Sequence, residues 1–62
     1  MIILTKIDGS KIAVNPDEIE SVDGTHDSTI TLISGRKIIV RETLEEISQN
    51  FIEYKRQINY HQ

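Results

Sequence analysis

His26 stands between Asp23 and Asp27, with Ser28 next to Asp27. These are the residue types of a metal site, or of a nucleophile with its base. Neither chemistry fits the spacing. A zinc site needs three or four converging ligands, and Asp23-Gly24-Thr25-His26-Asp27-Ser28 is a polar loop of turn residues with one imidazole. Ser28, His26 and Asp27 hold the types of a catalytic triad, but adjacency in sequence does not give triad geometry, and no glycine pattern of a nucleophile elbow surrounds the serine. Glu45 and Glu46 suit helix capping better than acid-base work. Asp8-Gly9-Ser10 and Ser34-Gly35-Arg36 are turns with no likeness to a phosphate-cradling loop. Arg36, Lys37 and Arg41 could touch phosphate, yet Ile39 lies between them and Glu42 adjoins, which suits charges guarding a sheet edge. The expectation is a non-enzyme with no catalytic residue, no metal and no cofactor.

The elements around these residues are short. Strands are predicted over about 2–7, 11–14, 18–22, 29–33 and 36–41, and a helix over about 44–58. Asp8-Gly9 between β-prone runs is a hairpin signal, because glycine accepts positive φ. A three-residue loop with a bulge, setting Leu4 opposite Val14 and Lys6 opposite Ile12, avoids placing Lys6 against Lys11. Asn15-Pro16-Asp17 interrupts the pattern, since Pro16 lacks an amide donor. Ser34-Gly35 turns a second hairpin. At Thr43 the period changes: Thr43-Leu44-Glu45-Glu46 has the form of a capping box. Leu44, Ile47, Phe51, Tyr54 and Ile58 then form one apolar stripe at helical spacing. Asn59-Tyr60-His61-Gln62 reads as a fraying end. No repeat, linker or low-complexity segment is read. The fold class is α+β, a mainly antiparallel sheet of about five strands followed by one amphipathic helix.

Sixty-two residues make a single domain of marginal stability, burying only about 60% of the surface its unfolded chain exposes. Chains of this size usually recruit disulfides, a metal or a partner, and cysteine is absent, so a partner is expected. A net charge of −3, from 7 basic and 10 acidic residues, suits nucleic acid poorly. No apolar run is long enough to span a bilayer, and the start lacks the features of a secretory signal, so the chain is expected to stay in the cytosol. Twelve isoleucines leave the strands short of clean alternation. With a two-residue loop at Ser34-Gly35, Ile30, Leu32 and Ile39 share one face while Ile33, Ile38 and Val40 share the other. One helix covers one face. The Ile33, Ile38 and Val40 face is therefore the candidate interface, with a second copy as the simplest occupant.

Taken in order, Met1-Ile2-Ile3-Leu4-Thr5-Lys6, Asp8-Gly9, Asn15-Pro16-Asp17-Glu18-Ile19-Glu20, Thr29 through Lys37, Val40-Arg41-Glu42-Thr43 and Glu53-Tyr54-Lys55-Arg56 resemble the flagellar FlbD family, also known as the swarming motility SwrD family. The resemblance covers nearly the whole chain. It implies a small cytoplasmic protein of bacterial flagellar operons that is needed for swarming and supports motor power through the stator units; it carries over no catalytic or ligand residues. A fainter resemblance, from Ile19-Glu20-Ser21 through Gly35 to Val40-Arg41-Glu42-Thr43-Leu44-Glu45-Glu46-Ile47, is to the closing half of a LytTR-type DNA-binding domain. The acidic balance argues against that activity, which remains the alternative.

Overall fold

The computed structural model describes the backbone of residues 1–60 and the side chains of residues 1–57. Five antiparallel strands in two small sheets precede one helix, an α+β arrangement: β1 (Ile2–Thr5), β2 (Lys11–Val14), β3 (Ile19–Asp23), β4 (Ser28–Leu32), β5 (Lys37–Val40) and α1 (Leu44–Tyr60). A 3-10 turn over Pro16–Glu18 separates β2 from β3, where the sequence suggested only a break followed by a strand from Glu18. Pro16 occupies the first turn, where its missing N–H costs nothing, and the Asn15 side chain accepts from the Asp17 amide at 3.1 Å.

Both hairpins are closed by three-residue loops, Ile7-Asp8-Gly9 and Ile33-Ser34-Gly35. In each, the loop glycine donates back to the last strand-side residue, Gly9 N to Lys6 O at 2.9 Å and Gly35 N to Leu32 O at 2.8 Å. Gly9 and Gly35 have φ of 93° and 94°, the left-handed conformation that closes such a loop without a Cβ clash. The β1–β2 pairs are Ile2↔Val14 and Leu4↔Ile12. The expected bulged loop is present, but its register differs by two residues and Lys6 lies across from Ser10. A shift of two preserves the faces.

In the second hairpin the difference reverses them. With Ile33 inside the loop, Ile30 pairs with Ile38, Ser28 with Val40, and Thr29 with Ile39. Alternation is then clean. Ile30, Ile38 and Val40 point inward and are buried, while Ile39 points outward.

The two hairpins repeat each other at a spacing of 26 residues, Gly9 to Gly35: Thr5, Ile7, Gly9, Lys11, Ile12 and Val14 recur as Thr31, Ile33, Gly35, Lys37, Ile38 and Val40. Their pairings correspond as well, Thr5↔Lys11 with Thr31↔Lys37. The expectation of no repeat is thereby corrected; the match is short and lies across a turn, where it passes for ordinary strand composition.

Their inner faces supply most of one core, made of Ile2, Leu4, Val14, Ile30, Ile38 and Val40 with Ile47 from α1. Each such side chain is worth roughly 1.5–3 kcal/mol on burial. Ile19 and Val22 both pack against this core although they are three residues apart, because a bulge at Glu20 resets the alternation of β3. The helix lies against β1, with Ile47 buried and Phe51 and Tyr54 half-buried on its inner side. It runs to Tyr60, beyond the expected end. The side chain of Ile58, the end of the expected stripe, lies outside the described residues, as do His61 and Gln62 of the tail read as fraying.

Candidate functional site

Val40-Arg41-Glu42-Thr43 leads from β5 into α1, and every residue in it fastens one part of the fold. Val40 is fully buried and forms an isolated bridge with Lys6, the corner where the two sheets meet. The Arg41 amide donates to Thr5 O at 2.8 Å. Its guanidinium donates through Nε and Nη2 to Ile7 O at 3.2 and 2.7 Å, holding the first hairpin loop. Glu42 accepts from the Thr5 amide on both carboxylate oxygens (2.9 and 3.1 Å) and from the Thr5 hydroxyl (2.9 Å), and Lys11 Nζ donates to that hydroxyl at 2.8 Å. Partial burial pushes the Glu42 carboxyl up, but the Thr5 amide and hydroxyl, the Glu42 amide and the Lys11 charge together outweigh it, and the group is held below its ordinary value of 4.5. Thr43 makes the expected capping box: its Oγ1 accepts from Glu46 N at 3.2 Å and Glu46 Oε1 accepts from Thr43 N at 2.9 Å.

The remaining polar candidates lie apart. Asp23, His26 and Asp27 are exposed at the β3–β4 connection. Ser28, next in sequence, is turned away from them: it is 1% exposed, and its hydroxyl donates to Glu42 O at 2.8 Å. Asp8 accepts from the Ser10 hydroxyl and amide at 2.6 and 2.9 Å, and those two bonds lower its carboxyl below the usual value. Among the described residues no three His, Cys, Asp or Glu side chains converge as a metal set. What the geometry offers is surface.

Of the expected interface, only Ile33 is on the surface, 62% exposed at the tip of the β4–β5 hairpin; Ile38 and Val40 are in the core. One residue more in the turn moved both to the inner face. The apolar outer surface is instead built by residues that the sequence did not assign to an interface. Ile7 and Ile39, 44% and 51% exposed, line a groove of about 570 Å³ beside the corner of the two sheets, with Lys6, Arg36 and Lys37 among its other walls. A second groove of about 290 Å³ runs between β3 and α1; Ile19, Val22, Leu44 and Phe51 form its apolar wall and Glu20 its edge. The 26-residue repeat was the signal for Ile7, which is the counterpart of Ile33.

Among the described residues no helix is long and apolar enough to cross a membrane. No curated protein and no solved structure matches the chain. A family model does, over residues 1–59, and its description is Flagellar and Swarming motility proteins. That span takes in both hairpins, the Val40–Thr43 link and nearly all of α1, so the chain belongs to the FlbD family of flagellar and swarming motility proteins.

Proposed function

We propose that this FlbD-family chain is a non-enzymatic cytoplasmic motility factor that acts by protein contact on the flagellar motor and supports the power supplied by its stator units. The family match supplies the flagellar and swarming setting. The observation that carries the contact reading is the set of isoleucines facing solvent from the strands, the hairpin loops and the helix: Ile3, Ile7, Ile33, Ile39 and Ile52 are all 44% exposed or more. Of these, Ile7 and Ile39 lie together along one groove, and apolar side chains that are contiguous on the surface mark an interaction site. Ile33 is the best placed to reach a partner, because it projects from a hairpin tip whose backbone is tied down by Ile33 N donating to Glu18 O at 2.8 Å.

The test is a capture experiment with the tagged chain against purified motor and stator proteins. Wild-type protein retains one of them, and Ile33→Asp, an exposed change that leaves circular dichroism unaltered, retains much less. Failure of the wild type to hold any motor or stator protein overturns the proposal. The basic side chains beside the first groove, Lys6, Arg36 and Lys37, keep a DNA-binding reading in view. A DNA fragment shifted at low salt and released steeply as salt rises would favour it; the expected result is no shift.

A further inference from the structure

The two grooves differ in charge as well as place. Lys6, Lys11, Arg36, Lys37 and Arg41, five of the seven basic residues, belong to the two hairpins or directly follow them. Asp17, Glu18, Glu20 and Asp23 lie in or beside β3, and Glu45 lies in the first turn of α1. An apolar floor of Ile7 and Ile39 edged by Lys6, Arg36 and Lys37, with Asp8 as the one acidic residue beside them, thus occurs on the same chain as an apolar wall of Ile19, Val22, Leu44 and Phe51 edged by Glu20, with Glu45 following Leu44 in sequence. They share no residue. Among the described residues the one ion pair is Arg56 with Glu53, which leaves Arg36, Lys37, Glu20 and Glu45 without a partner of opposite sign.

We infer that these grooves bind each other between copies of the chain, the basic groove of one copy against the acidic groove of the next. Ile39, 51% exposed, and Leu44, 42% exposed at the mouth of the acidic groove, are the two apolar anchors, and Arg36 and Lys37 face Glu20 and Glu45 of the neighbouring copy. Because the two surfaces are different patches, the contact is head-to-tail rather than two-fold, and each added copy presents a fresh groove of either kind. The accessible surface of the chain is 4479 Å², so two contacts of standard size, about 800 Å² per partner, would cover a large share of it. Each contact is accordingly small and weak, and the association depends on concentration. The rim charges are exposed, so salt weakens it.

This inference is independent of the motor reading above, and sedimentation tests it without any motor protein. The weight-average mass of the wild-type chain rises with concentration and falls back to the monomer at high salt. Two double variants separate the faces, Arg36→Glu with Lys37→Glu and Glu20→Lys with Glu45→Lys. Each alone sediments as a monomer. Mixing the first with the second restores opposite signs at both possible junctions, native surfaces at one and two reversed surfaces at the other, so the mixture associates where each variant alone does not. A wild-type mass that stays monomeric at every concentration overturns the inference, as does association indifferent to salt or undiminished in either variant. Circular dichroism confirms that each variant is folded, and the wild-type salt series stands without them. Motor capture by a wild type that never self-associates would sink this inference alone; self-association without motor capture would sink the other.

Discussion

Glu42 does with its side chain what a further strand residue would do with its carbonyl. Arg41 N bonds Thr5 O, but the chain then leaves for the helix, and the Glu42 carboxylate takes up the Thr5 amide in its place. A carboxyl whose folded value lies below its unfolded one loses its proton more readily in the folded state. It therefore adds stability above the ordinary value of 4.5, and that contribution is lost as pH falls through the lowered value. Thermal melts should show Glu42→Gln less stable than wild type near neutrality by about 1 kcal/mol, after allowance for partial exposure. The gap should close on acidification, and a gap of constant size would refute the assignment. The neighbouring Ser28→Ala change leaves a main-chain carbonyl without its buried donor, which should cost about 1–3 kcal/mol in denaturant unfolding at any pH.

Among the elements, the hairpin turns show what a sequence can and cannot convey. Asp8-Gly9 and Ser34-Gly35 placed both turns, because a glycine between β-prone runs has few other uses. They did not set the registers. Whether Ile33 ends β4 or enters the loop shifts the pairing by one and reverses every side chain of β5. Ile38-Ile39-Val40 is apolar at all three positions, so its own pattern could not decide. That single ambiguity put Ile38 and Val40 on the surface in place of Ile39. The helix start was legible because Thr43 and Glu46 cap each other at a fixed spacing; its end was not, as Ile58-Asn59-Tyr60 carries neither glycine nor proline. Gly35→Ala should cost about 1–2 kcal/mol, a purely backbone effect, since nothing lies within 4 Å of an added Cβ. Thr43→Ala should lose about 0.5–2 kcal/mol with the cap. Chemical denaturation measures both.

For the molecule as a whole, the decisive comparison is between neighbours on β5. Ile38→Lys buries an unpaired charge where the native side chain is 7% exposed, and should abolish the folded state with a loss above about 4 kcal/mol. Ile39→Lys, one position on, faces water and should stay within about 0.5 kcal/mol of wild type. Circular dichroism with melting separates the two outcomes, and equal effects would discard the three-residue turn. The duplicated hairpins also carry a kinetic consequence. Two near-copies of one unit can dock in each other's place while the chain folds, a characteristic misassembly of repetitive proteins. Thr5 and Thr31 are equivalent within the pair, yet only Thr5 receives the Glu42 carboxylate. The latch thus sorts the copies as well as fastening one. In stopped-flow refolding the wild type should collapse in one phase, while Glu42→Gln should gain a second, slower phase as wrongly docked hairpins separate and try again.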